Sequence, residues 1–170
     1  MKPEIFFLKY AFPCSFVLMS RGEVDSKEHD LLYKSAKEEK LYLPIKKIEK
    51  IFWRALKFVG SVSDLDSVQN YWWFNHNKYL KLEKFKSIEN DLIKECLVTP
   101  CKVVSVSKNK VKVKSPFFDN TVELKTDFVG VRLGDKVTKH YDYICEKIPE
   151  SLYLKIEESL KKIGFNNSQG

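Results

Sequence analysis

Glycine and proline are scarce, six of each in 170 residues. Long flexible linkers, low-complexity tracts and collagen-like or proline-rich architectures are therefore not expected. No internal repeat is visible, which argues against a solenoid. No run approaches the roughly 18 apolar residues of a spanning helix. The start, Met1-Lys2 and then Ile5-Phe6-Phe7-Leu8, imitates a signal sequence, but Glu4 and Lys9 interrupt the run and no small-residue cleavage site follows Pro13. Cysteine is limited to Cys14, Cys96, Cys101 and Cys145. In a lysine-rich chain without a secretion signal these read as reduced thiols rather than a disulfide framework. A cytoplasmic, non-membrane protein is the expectation. Enzyme motifs are missing too: there is no phosphate-binding glycine loop, no serine-nucleophile signature and no carboxylate pair at glycosidase-like spacing. The protein reads as non-catalytic.

What is present is apolar and aromatic. Apolar residues make up 44% of the chain and aromatics 14%, enough for one good core or two small ones. Lysine and arginine exceed aspartate and glutamate by 30 to 23, a net charge of +7. Such a surplus favours anionic partners, nucleic acid among them. Runs such as Lys37-Glu38-Glu39-Lys40 nevertheless alternate in sign and read as solvated helix faces.

The hydrophobic period changes near residue 96. Before it the spacing is helical. Ile5, Leu8, Phe12, Phe16 and Met19 predict a first helical region bent at Pro13. Asp25 or Ser26 caps a second helix burying Leu31, Leu32 and Ala36. Pro44 opens a third, with Ile45, Ile48, Ile51, Phe52, Ala55 and Leu56 on one face and Gly60 at its end. Ser63 or Asp64 caps a fourth that runs through Tyr71-Trp72-Trp73-Phe74, with Asn77 near its C-cap. A further helix is expected over about 87–94.

Beyond residue 96 the period is two. Val103, Val104 and Val106, the turn Ser107-Lys108-Asn109-Lys110 and the alternating Val111-Lys112-Val113-Lys114 predict a β-hairpin. Thr121–Leu124 is a third strand, Phe128–Val131 a short piece and Lys136–His140 a further strand after the Leu133-Gly134-Asp135 turn. Pro149 opens a terminal helix with Leu152, Ile156, Leu160 and Ile163 on one face. The fold class is therefore α+β: an N-terminal helical domain over about 1–90, then a small OB-like β-barrel with a C-terminal helix over 91–170.

Two segments resemble the HypC/HupF/HybG hydrogenase-assembly chaperones. Cys96-Leu97-Val98-Thr99-Pro100-Cys101-Lys102-Val103-Val104 is similar to the opening of that family, a Cys-Leu, two small or apolar residues, Pro-Gly, a basic residue and valine. Gly134-Asp135-Lys136-Val137 with His140, then Ile144–Glu150, is similar to its last histidine-bearing strand and acidic helix. The resemblance covers about residues 96–162. It implies assembly of the nickel–iron hydrogenase site: a transiently carried iron bearing cyanide and carbon monoxide, a HypD-like partner and a hydrogenase large-subunit precursor as recipient. It also implies that Cys96 is the metal-contacting thiol and that His140 supports it. The chain departs from the pattern in three places. Cys96 is internal, Cys101 stands where the family has glycine, and Asp142 replaces a small residue.

Other readings of these residues stay open. Cys96 suits a small buried strand-mouth residue as well as a thiolate ligand. Cys101 is a candidate metal or redox partner of Cys96 and, with Pro100, a candidate partner contact. His140 and Cys145 are an odd number apart and face opposite sides of one regular strand. Trp72, Trp73 and His76 are candidates for an aromatic recognition surface, or for helix core. The two adjacent tryptophans cannot share one core. A non-enzymatic adaptor is the alternative class, as is a single-strand nucleic-acid-binding barrel with Phe117, Phe118, Tyr141 and Tyr143 as stacking platforms.

Overall fold

The computed structural model describes residues 1–83, 95–108 and 110–165. The helix expected over 87–94 lies outside them. The chain divides into two compact units, Met1–Trp72 and Trp73–Gly170, a junction earlier in the chain than the domain boundary expected near residue 90. It lies inside a π-helical turn, Tyr71–Asn75.

The first unit is all helical. Helix α1 (Pro3–Ala11) is buried from Ile5 to Ala11; the charge within that run, Lys9, is buried with them and pairs with Glu39 at 2.6 Å. Pro13 produces the expected bend: a 3₁₀ turn, Phe12–Cys14, leads to α2 (Ser15–Ser20). Asp25 caps α3 (Ser26–Glu38) in a full capping box with Glu28, satisfying donors at both residues. The apolar stripe after Pro44 forms two helices instead of one, α4 (Ile45–Ile51) and α5 (Trp53–Val59). Phe52 leaves the helical region at φ −99°, ψ 31°, and its ring meets Phe7 edge-on at 5.7 Å. Gly60 ends α5 at φ 82°, a conformation that favours glycine. Helix α6 (Leu65–Asn70) follows Asp64. Trp72 stacks on Tyr10 at 5.4 Å, inside this core.

The second unit starts with Trp73 and contains α7 (His76–Glu83), five strands and α8 (Glu150–Lys162). Strands β1 (Thr99–Val106), β2 (Lys110–Lys114), β3 (Val122–Lys125), β4 (Lys136–His140) and β5 (Tyr143–Lys147) close a barrel in the order β1-β2-β3-β5-β4. The β3–β5 pairing is parallel and the others antiparallel. This is an α+β fold with an OB-like barrel, as the pattern predicts. Cys101, Val103, Val111, Val113, Leu124, Val137 and Ile144 fill one core. A second core joins Leu80, Leu97, Phe117 and Ile148 to Tyr153, Ile156 and Leu160 of α8.

Two strand expectations need correction. Phe128–Val131 makes no strand; Phe128 stacks on Tyr143 at 4.9 Å while Val129 and Val131 pack against the barrel core. Tyr143–Lys147 is a separate strand, hairpinned to β4 through His140↔Tyr143. His140 and Cys145 therefore lie on different strands, and the odd-spacing argument does not apply to them. No described helix is long and apolar enough to cross a membrane.

Candidate functional site

Cys96 sits just before β1, half-buried against the second core. Three polar groups hold the backbone around it. The Tyr141 amide donates to Glu95 O at 2.9 Å. His76 Nε2 donates to Cys96 O at 3.1 Å; the carbonyl only accepts, so Nε2 carries the proton. Asn77 Nδ2 donates to Val98 O at 2.8 Å, and Val98 N donates to Asn77 Oδ1 at 2.9 Å. One amide side chain thus supplies both hydrogen bonds that a neighbouring strand would give Val98.

The local chain explains how these groups arrive. The π turn immediately precedes His76 and Asn77, which open α7, and both are buried, at 6% and 3% exposure. Asn77 is not near a C-cap: it lies in the first turn of α7, which runs to Glu83, and its side chain bonds the Val98 backbone. Tyr141 follows β4 in the left-handed region at φ 51°, strained for a tyrosine.

Tyr141 Oη and Cys96 Sγ are 2.6 Å apart. His140 is fully buried. Its ring stands edge-on to His76 at 5.0 Å and beside Tyr141 at 4.9 Å. Cys96 and His140, paired by resemblance, thus belong to one cluster linked through His76 and Tyr141. Lys139 lies beside it, 4% exposed, donating to Tyr141 O at 3.3 Å with its ammonium 5.1 Å from the Phe118 ring centre. Burial lowers the Lys139 pKa, and the neighbouring Cys101, Glu95, Cys145 and Cys96 oppose the shift.

Cys101 has a different environment from Cys96. It is inside the barrel, and burial pushes its thiol up to about 12 despite Lys139 and a hydrogen bond with Ser115. A thiol held protonated at neutral pH is a poor metal ligand or nucleophile. Among the described residues no three His, Cys, Asp or Glu side chains converge as metal ligands. A resident zinc site, which takes four ligands, is not assembled from them.

The expected partner contacts are mostly internal. Pro100, Cys101, Trp72 and His76 are buried, because an apolar strand mouth and an aromatic helix face both serve as core. Trp73 is half-buried, with Nε1 donating to Glu146 Oε1 at 2.5 Å. The adjacent tryptophans do go to different cores, Trp72 to the first unit and Trp73 to the second. The stacking platforms proposed for nucleic acid fare similarly. Phe117 and Tyr143 are buried, Phe118 packs on both barrel-unit cores, and Tyr141 is engaged with Cys96.

Sequence reasoning missed Tyr141, Asn77 and Lys139 as parts of the Cys96 environment. The dipeptide His140-Tyr141 after a strand was the one available signal, since a tyrosine at a tight turn needs a reason to be there. No family model, no curated protein and no solved structure matches this chain.

Proposed function

We propose that this protein is a metallocentre-assembly chaperone of the hydrogenase kind. In this reading it passes an iron bearing cyanide and carbon monoxide from a HypD-like partner to a large-subunit precursor. The observation that carries the reading is the setting of Cys96, a half-buried thiol against a phenol, in a cluster containing two imidazoles. A thiolate is a soft ligand suited to low-spin iron. Imidazole suits iron as well. The iron is cargo here, and it brings diatomic ligands of its own. A carrier then needs few protein donors, which fits a cluster without a converging ligand trio.

The internal position of Cys96 supports a fixed presentation of the thiol. His76, Asn77 and the Tyr141 amide hold residues 95–98 against the barrel, so the thiol has little backbone freedom. His140 is fully buried beside His76 and Tyr141, so half-buried Cys96 is the first contact for an incoming iron.

The test is iron content and infrared absorption in the cyanide and carbonyl stretching region. Protein purified anaerobically from its native host is compared with Cys96→Ala. Bands in the native protein that vanish in the variant establish the carrier role and its ligand. Absence of bands in both, from a host with active hydrogenase, removes the role and leaves the barrel as a non-enzymatic adaptor.

A further inference from the structure

The outer face of the barrel carries a row of lysines that the Cys96 cluster does not use. Lys102 of β1 stands opposite Lys114 of β2 on one side and opposite Lys136 of β4 on the other. The inward positions beside them, Cys101, Val103, Val113 and Val137, fill the core, so the three lysines share the outward face. Lys112 follows on β2, two residues from Lys114 and on the same face. Along β2 this spacing is about 6.8 Å, and across strands about 4.8 Å.

Like charges directly opposite on paired strands are destabilising. Lys110 and Lys125 also stand opposite one another, but each has a carboxylate partner. Lys110 pairs with Glu123 at 2.6 Å, Lys125 with Asp142 at 2.7 Å and Lys147 with Asp135 at 2.8 Å. Lys136 reaches Glu150 at 3.4 Å. Lys102 and Lys114 are exposed and have no ion-pair partner among the described residues, while Lys112 stands opposite Glu123 and helps hold its carboxyl below the usual range. Beside them a bulge in β1 leaves Val104 without a counterpart on β2. Val104 is exposed, at 37%, whereas Val106 stands opposite inward-facing Val111 and belongs to the other face.

We infer that this face docks an acidic segment of a partner polypeptide, whose carboxylates meet Lys102 and Lys114, with Lys112 beside them, and whose apolar side chain covers Val104. The Tyr153 ring that meets this row beneath Lys136 is buried, and the barrel's candidate stacking rings are buried or engaged elsewhere. Single-strand nucleic acid binding relies on stacking platforms beside the basic groove, so a polypeptide is the better match. The inference stands apart from the role of Cys96.

The test titrates ¹⁵N-labelled full-length protein with a short glutamate- and leucine-containing peptide, and separately with a thymidine oligonucleotide of equal charge. The peptide is expected to shift amides of β1 and β2 around Lys102, Val104, Lys112 and Lys114. Lys102→Glu and Lys114→Glu should each weaken it by about tenfold, while Lys46→Glu, on an exposed position of α4, leaves it unchanged. Both barrel variants are checked for an intact spectrum. No shifts, shifts spread over lysines generally, or an oligonucleotide bound as well as the peptide overturns the inference.

Discussion

The Cys96 thiol and the Tyr141 hydroxyl, 45 residues apart in sequence, meet at 2.6 Å. The contact depends on Tyr141 holding a left-handed backbone, which costs about 1–2 kcal/mol for a non-glycine residue. That strain is offset locally, since the Tyr141 amide bonds Glu95 O and its carbonyl accepts from Lys139. The phenol therefore partly covers the sulfur. Tyr141→Phe should raise the limiting alkylation rate of Cys96 several-fold, with Cys101 and Cys145 still unlabelled in the folded protein. Mass spectrometry after timed iodoacetamide treatment checks this; an unchanged limiting rate means that the hydroxyl does not cover the thiol.

Asn77 should matter more than its modest size suggests. Asn77→Ala leaves both the amide and the carbonyl of buried Val98 without their partner, a loss of about 2–5 kcal/mol. Asn77→Asp keeps the acceptor but removes the donor and turns a carboxylate towards Val98 O. It should be nearly as damaging at neutral pH, with partial recovery once acid protonates it. Hydrogen exchange at the Val98 amide is the sensitive readout. Full retention of protection in Asn77→Ala would mean that another group holds this segment.

The barrel was legible because its strands advertise themselves locally. Val111-Lys112-Val113-Lys114 alternates, and the burial follows it residue by residue. Asp25 with Glu28, and Pro44 and Gly60, marked helix ends for equally local reasons. Strand β5 was not legible: Tyr143, Ile144 and Cys145 are all buried, and pairing skips from Thr138↔Glu146 to Lys139↔Ile144, so alternation is lost. Nor could spacing reveal the break at Phe52, whose ring meets Phe7 from 45 residues earlier in the chain. The site was legible only as separate residues. Cys96 and His140 stood out singly, but the bonds from His76, Asn77 and Tyr141 that define their surroundings span 20 residues or more. Only the folded chain brings them together.

Alkaline pH should destabilise the barrel in part through Cys101. Its thiol is raised from an ordinary 9.0 to about 12 in the folded state. Between these values the unfolded chain has released the proton and the folded chain keeps it. Stability therefore falls as pH rises through that window. Tyr153, raised by burial from 10.0 to about 12, adds a loss of the same sign above pH 10. Lys139 acts oppositely: its lowered value lets the folded protein shed a proton first, so its contribution becomes more favourable as pH rises towards 10.5. Comparing denaturation midpoints of native protein and Cys101→Ala across pH 8–12 isolates the thiol. The variant should show a shallower alkaline decline, and parallel curves would contradict the assignment.

The lysine row predicts a variant that gains stability. Lys114→Glu replaces a repulsive pair with an attractive one opposite Lys102, in a position that already tolerates a long exposed side chain. The expected gain is about 0.2–1 kcal/mol. Screening should erase most of it at high salt, where the Debye length is ~3 Å at 1 M. Lys114→Gln removes the repulsion without adding attraction and should fall between the two. Denaturant midpoints at low and high salt measure the series. A surface shaped for stability alone would not keep Lys114 where glutamate is better, so a gain accompanied by loss of acidic-peptide binding identifies a face held for a partner. A low-salt midpoint that stays level or drops in Lys114→Glu would show that the opposed lysines are not in conflict, and the argument for an anionic partner would lose its physical basis.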